Sequence, residues 1–219
     1  LDVVVGLLLS IVTMPVVAVL AAISAVKFRT NPFFVQERVG LNGEPFRCIK
    51  IRSLPAETPA YLDKLALNDH CEPTGWCRFL RRFHLDELPQ FWHVVGGSMS
   101  LVGPRPMIKS IIDEIPHDIA QVRHSIRPGV TGPWQVSVDG AHSLLTCLDY
   151  DETYVRNASL LLDLKLLALT AVQTGGVAKR QKPQVFAMMG HASADVRDGE
   201  HSVVALRHDP EFADVRNAS

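Results

Sequence analysis

Between Val3 and Val26 the chain carries no charged residue, and its only hydroxyl groups are those of Ser10, Thr13 and Ser24. Wound as a helix, that stretch reaches about 36 Å, enough to cross a hydrocarbon core of roughly 30 Å. A helix buried in a soluble core normally shows a polar stripe at helical period, and none is evident here, so the expectation is membrane contact. The run is longer than the h-region of a signal peptide and lacks a basic n-region, although Ala21, Ala22 and Ala25 resemble a cleavage site. Pro15 lies near the middle of the run. It removes one backbone donor and crowds the preceding turn, which predicts a kink or break, with Ser10 and Thr13 placed to serve the freed carbonyls. A kinked span and a re-entrant hairpin both satisfy that pattern.

After the run, Lys27, Arg29, Arg38, Arg47, Lys50 and Arg52 face only two acids, Glu37 and Glu44. Basic flanks mark the cytoplasmic side of a membrane segment and attract anionic headgroups. The chain as a whole has a net charge of −1, which argues against a nucleic-acid binder. Its four cysteines (Cys48, Cys71, Cys77 and Cys147) form no CxxC pair, so reduced thiols are expected rather than a disulfide framework or a zinc site.

The remaining pattern predicts a mixed, helix-rich α/β fold. Asn31 to Leu54 reads as a hairpin turning at Leu41-Asn42-Gly43, and residues 55 to 73 as a loop with a short helix. A helix should begin near Pro89 and stop at Gly96-Gly97. Leu101 to Pro106 is extended, Pro116 starts another helix, and Leu160 to Val172 forms a further one, packed on the domain or lying at the lipid surface. This divides the 219 residues into an apolar helix over 1–27, a domain over 28–172 and a mobile tail over 173–219.

Adjacent carboxylates at Asp86 and Glu87 follow Arg78, Arg81 and Arg82 and precede the helix start near Pro89. Such a place favours ionised acids and can receive phosphate. Two acids flanked by guanidinium groups suit phosphoryl transfer: one can attack phosphorus or hold Mg²⁺ while arginines neutralise the phosphate oxygens. The bland alternative is a pair of first-turn helix acids. Arg105, between two prolines, can be aimed at an anion or simply be solvated. His84 and His93 are off metal-ligand spacing and read as structural.

The stretches Gln36-Glu37-Arg38-Val39-Gly40, Lys50-Ile51-Arg52-Ser53, Leu85-Asp86-Glu87-Leu88-Pro89-Gln90 and Met99-Ser100-Leu101-Val102-Gly103-Pro104-Arg105-Pro106 occur in that order. Arg127-Pro128-Gly129-Val130-Thr131-Gly132, Trp134-Gln135-Val136-Ser137, Tyr154-Val155 and Leu162-Asp163-Leu164-Lys165 follow. Together they resemble the bacterial sugar transferase family, the monotopic phosphoglycosyl transferases that begin assembly of capsule, exopolysaccharide and O-antigen. The likeness runs from Asp2 to about Thr170.

The resemblance implies transfer of a sugar-1-phosphate from a UDP-sugar to polyprenyl (undecaprenyl) phosphate, with Mg²⁺ required and UMP released. Asp86 would be the nucleophile that forms a phosphosugar-aspartyl intermediate, and Glu87 would help hold Mg²⁺. Lys50, Arg52, Arg78, Arg105, Arg127, Gln135 and Asp151 are the implied substrate-binding residues, with Asp149 an alternate alignment for Asp151. The family's N-terminal helix is re-entrant and breaks at a proline, which favours the hairpin, interfacial amphipathic helices and a catalytic domain on the cytoplasmic face of the inner membrane. Later glycosyltransferases are implied as partners.

Some positions depart from the family pattern. Ser98 stands where an acid is usual, Gly75 and Cys77 replace Arg and Gly, and Val138-Asp139 replaces Gly-Arg. A catalytically inert scaffold of a polysaccharide assembly complex is the competing reading, and a peripheral anionic-lipid binder using the Lys27–Arg52 cluster is a third.

Overall fold

The computed structural model describes residues 2–56, 58, 75–138, 148–174 and 178–190. It opens with helix α1 (Asp2–Phe28), followed by an antiparallel hairpin of β1 (Phe33–Val39) and β2 (Pro45–Ile51). The hairpin turns through Leu41–Gly43, where Asn42 (φ 55°) and Gly43 (φ 79°) both take left-handed backbone, as a tight reversal asks of Asn and Gly.

Helix α1 is helical throughout, with Pro15 inside it, so the secondary structure is not interrupted at that proline. Thr13 donates to the carbonyl of Leu9 at 2.7 Å, whereas the Ser10 hydroxyl is buried without a partner. The helix does have a distinct face, against the sequence expectation. Gly6, Ser10, Val17, Leu20, Ala21 and Ser24 are buried against the domain, while Val3, Val4, Leu7, Leu8, Ile11, Val12, Val19 and Val26 are exposed. The protein face mixes small and hydroxyl-bearing residues with Val17 and Leu20, and the outward face is made of large aliphatic residues, the reverse of a water-soluble helix, whose outer face is polar. A Cβ on Gly6 would come within 2.8 Å of Val94, and the Trp76 indole donates to Ser24 at 3.1 Å. Hydropathy alone hid this stripe, because Gly, Ala and Ser at helical spacing do not interrupt an apolar run.

The domain continues through α2 (Gly75–Arg82), a 3₁₀ turn at Leu85–Glu87, α3 (Gln90–Val95) and β3 (Ser100–Val102). Then come α4 (Lys109–Ile112), α5 (His117–His124), β4 (Gly129–Thr131) and α6 (Pro133–Val136). Helices α7 (Leu148–Asn157), α8 (Leu160–Thr174) and α9 (Lys182–Met188) complete the described residues. Strands β3 and β4 pair in parallel, with Val102 opposite Thr131. Beside that pair Gly103 and Gly129 lie back to back, and a Cβ on Gly129 would meet the Gly103 nitrogen at 2.1 Å. Only glycine permits that approach, which brings the Gly-Pro-Arg-Pro loop onto the Trp134 segment.

The main core gathers Val94, Leu101, Val136, Tyr150, Leu166 and Val185. A second cluster of Val17, Leu20, Ile51 and Leu80 fastens α1 to the hairpin and α2. The tail expected from residue 173 is corrected in part. Helix α8 runs to Thr174, and α9 buries Val185 and Phe186 in the core behind a capping box of Gln181 and Gln184. The sequence signal was present as Gln-x-x-Gln with Pro183 at the helix start, but glutamine caps are weak cues. Residues 191–219 and the loop expected over 59–73 lie outside the described residues. Cys48 and Cys77 are buried, while Cys71 and Cys147 fall outside the described residues.

Candidate active site

The carboxylates of Asp86 and Glu87 sit in the 3₁₀ turn that links α2 to α3, entered through His84 in left-handed backbone (φ 53°). The Lys50 ammonium reaches across from β2 to Glu87 Oε1 at 2.6 Å. Hairpin register explains that reach. On an antiparallel pair alternate residues share a face, and Gln36 pairs with Cys48 while Arg38 pairs with Phe46. Arg38, Cys48 and Lys50 therefore project to one side, and all three line a cleft with about 270 Å³ of empty space. Glu87, Arg105 and Trp134 line it too. The Arg105 guanidinium lies 4.2 Å from the centre of the Trp134 ring, held there by cation–π attraction.

The two acids are not equivalent. Burial pushes the Asp86 carboxyl up to about 6, and repulsion from Glu87 adds to the effect, against the weaker pull of Lys50 and Arg81. Burial opposes ionisation of Glu87 as well, but Lys50, then Arg105 and His84, outweigh it and hold Glu87 well below the usual carboxylate range. The result is a firmly ionised Glu87 beside an Asp86 that is 8% exposed and whose charge is incompletely compensated. That is the residual negative potential a divalent cation relieves. Among the described residues no group of three or more His, Cys, Asp or Glu side chains gathers, so a cation here would rest on these two carboxylates plus oxygens of a ligand.

The structure brings Asp86, Glu87, Lys50 and Arg105 together and places the other expected residues elsewhere. Gln135 is buried one step away, its amide nitrogen 2.9 Å from His84 Nε2. Arg52 donates to the carbonyl of Asn31 at 2.8 Å and lies 5.9 Å from the Phe34 ring, pinning the hairpin's open end. Arg78 is exposed on α2, and the exposed Arg127 donates to the carbonyl of Gly97 at 2.7 Å. Asp151 lines no part of the cleft: it is fully buried and accepts from Arg123 at 2.8 Å. Arg123 in turn donates to the carbonyl of Arg105 at 2.6 Å.

Other residues were missed from sequence. Arg38 was counted with the basic flank, although strand alternation from Lys50 would have put it on the cleft face. His84 was read as structural, yet its Nδ1 lies 3.9 Å from Glu87 Oε2. His93 is structural as expected: its Nε2 accepts from the Ile49 amide at 3.0 Å, and Nδ1 lies 3.2 Å from Ser98 Oγ. Serine at position 98 therefore partners a histidine that burial keeps below its usual pKa.

A model of the bacterial sugar transferase family matches residues 1–175. The chain belongs to that family. Among curated relatives, the UDP-galactose-lipid carrier transferase of Erwinia amylovora is 36% identical over 164 residues, covering 68% of this chain and 34% of its own length. The UDP-glucose:undecaprenyl-phosphate glucose-1-phosphate transferase of Klebsiella pneumoniae is 34% identical over 177 residues, 77% of this chain and 38% of that protein. An uncharacterised sugar transferase of Bacillus subtilis is 37% identical over 149 residues, covering 68% of this chain and 72% of its own. This sugar transferase chain thus spans a little over a third of the first two relatives and most of the third.

Proposed function

We propose that the chain moves a sugar-1-phosphate from a UDP-sugar to polyprenyl phosphate in two displacements on Asp86. The observation that carries this reading is the meeting of Glu87, Lys50 and Arg105 around one cleft, with Asp86 buried beside Glu87 in the adjoining turn. Relatives whose names specify UDP-glucose and undecaprenyl phosphate supply the substrate classes.

In the first displacement a carboxylate oxygen of Asp86 attacks the phosphorus that bears the sugar. The Asp86–phosphorus bond forms, the bridging P–O bond breaks, and its electron pair leaves with UMP. In the second, a phosphate oxygen of the polyprenyl carrier attacks the same phosphorus and releases Asp86 as a free carboxylate, giving the sugar diphospholipid. The covalent stage splits one hard transfer into two, so the soluble nucleotide leaves before the lipid arrives. Lys50 and Arg105 supply fixed positive charge for the phosphate oxygens at a partly buried cleft, where preorganised charge stabilises a transition state. The Lys50 contact keeps Glu87 ionised and aimed. Mg²⁺, for which the two carboxylates are a suitable pair, would neutralise charge on the diphosphate when bound.

Helix α1 is proposed to sit in the inner membrane with its aliphatic face toward lipid and the domain on the cytoplasmic side. Leaving its exposed Val, Leu and Ile side chains in water would cost on the order of 10 kcal/mol. Contacts from Asp2, whose carboxylate accepts from Ser100, to Ser24, which accepts from Trp76, run along nearly the whole helix. A helix fastened to a folded domain at both ends favours shallow or re-entrant insertion over a free span. Tags placed before Leu1 and after Ser219 are then both accessible from the cytoplasm, and labelling on opposite sides would restore the span.

The test of the activity is incubation of the membrane-bound chain with Mg²⁺, radiolabelled UDP-sugars and polyprenyl phosphate. Labelled lipid with equimolar UMP is the expected outcome. A chain that yields neither with any UDP-sugar is the inert scaffold.

A further inference from the structure

The loop that carries Arg105 contains two prolines, Pro104 and Pro106, and so lacks two of the backbone donors with which a loop normally ties itself down. Its acceptors are nevertheless all engaged from outside. The carbonyl of Pro104 accepts from the Gly129 amide at 2.9 Å, and that of Arg105 from Arg123 at 2.6 Å. The carbonyl of Pro106 accepts from Arg38 Nη1 at 2.9 Å, and that of Met107 from the Val39 amide at 2.9 Å. Four consecutive carbonyls are thus held, the last two by neighbouring residues of β1. Arg38 is itself steadied: its Nη2 donates to the Gln36 side chain two residues away on the same strand face. A guanidinium can serve two acceptors in fixed directions at once, which an ammonium on a flexible stem does less well.

We propose that Arg38 is a positioning residue that acts through Arg105. It locks the Pro-Arg-Pro loop to the catalytic hairpin, so that the Arg105 guanidinium is stacked on Trp134 and ready for the donor's phosphates before they arrive. This rests on the reading of Arg105 as a phosphate-binding residue. Strand β1 then does more than pair with the Lys50 strand: it sets the distance between the Lys50 and Arg105 charges, the two cations that must meet one diphosphate. Pre-organisation of this kind avoids ordering the loop at the moment of binding.

A double-mutant cycle tests the coupling, with UDP as the probe and the full chain in detergent micelles, read by calorimetric titration. Arg105→Ala is expected to weaken UDP binding about 10-fold or more, the loss of one charge-assisted contact. Arg38→Met is expected to weaken it about 5-fold, and the double variant is expected to bind no worse than Arg105→Ala within about 2-fold. Penalties that multiply in the double variant would mean that Arg38 meets the nucleotide itself, and the positioning role would be wrong. An Arg38→Met protein with unchanged affinity would overturn it as well. If Arg105→Ala binds UDP like the parent chain, the phosphate-binding reading of Arg105 fails first, a result distinct from the other two. Melting curves of each variant separate coupling from loss of fold, and Arg38→Lys takes the place of Arg38→Met should the latter not fold.

Discussion

Two buried acid–base groups lie close together in this protein and are built to opposite ends. Asp151 and Arg123 form a one-to-one pair, 0% and 2% exposed at their side chains, with the remaining reach of Arg123 spent on the carbonyl of Arg105. Asp86 and Glu87 set two carboxylates against one contacting ammonium, that of Lys50; Glu87 and Lys50 line the cleft and Asp86 is buried next to them. The first group is closed to solvent and matched in charge, with Asp151 Oδ1 left without a partner among the described residues and burial pushing that carboxyl up against the pull of Arg123. The second is unbalanced and open, and the imbalance falls on Asp86, whose carboxyl is pushed up to about 6 by burial and by Glu87. A buried pair with matched charge is architecture; one with surplus charge beside an opening is a site waiting for a cation or a phosphate.

The sharpest way to break this contrast is to neutralise each acid in turn. Asp86→Asn should lower turnover by about 10⁴-fold or more, as expected when a nucleophile is removed, and should abolish the phosphosugar adduct seen by mass spectrometry after digestion. Asp151→Ala should act on the fold instead: stranding Arg123 in the interior costs about 3–5 kcal/mol, readable as a fall in the denaturation midpoint. If Asp151→Ala spares stability but removes UDP binding, the two groups are not the opposites drawn here.

Within the dyad the two acids predict opposite signs for stability. A carboxyl whose folded pKa is raised destabilises the fold once ionised, so the contribution of Asp86 falls as pH climbs from the ordinary aspartate range through about 6. Glu87, held low, contributes stability above its unfolded pKa that is lost in acid. Asp86→Asn should therefore stabilise the metal-free protein by about 1–3 kcal/mol at pH 8, an advantage that shrinks toward pH 5. Denaturant titrations at the two pH values check it. For turnover the proposed nucleophile predicts the reverse sign: only an ionised Asp86 attacks phosphorus, so at low Mg²⁺ the rate should fall as pH drops through about 6.

The smallest effect concerns the anchor. Ser24→Ala removes the acceptor for the Trp76 indole and should cost about 1 kcal/mol without releasing the chain from membranes. Extraction by high salt, rather than by detergent alone, would reverse the assignment of α1 to lipid and favour headgroup attraction by the basic flank.

Much of this was readable in the residues themselves. The hairpin, its turn at Asn42-Gly43, the helix near Pro89 and the acidic dyad ahead of it follow from local rules: alternation, left-handed residues, proline at a helix start. Helix α9 escaped because it is only seven residues long and its apolar residues, Val185 to Met189, form one short run without helical period. Strand alternation splits the basic flank, sending Arg38 and Lys50 to the cleft and Arg47 to the opposite, exposed face, while Arg52 lies past the end of β2.

Amino-acid order alone determined which side chains could do chemistry, because carboxylates, guanidinium groups and an uncharged helix are properties of residue type and spacing. Tertiary structure decided which of them do. Asp86 and Asp151 are both aspartates near arginines in the sequence, and only packing makes Asp151 half of a closed ion pair and Asp86 an under-compensated acid beside the cleft residue Glu87. A pKa and a binding role depend on distance and dielectric, which are set by segments far apart in the chain. In this fold, back-to-back glycines and a β1 arginine bring those segments together.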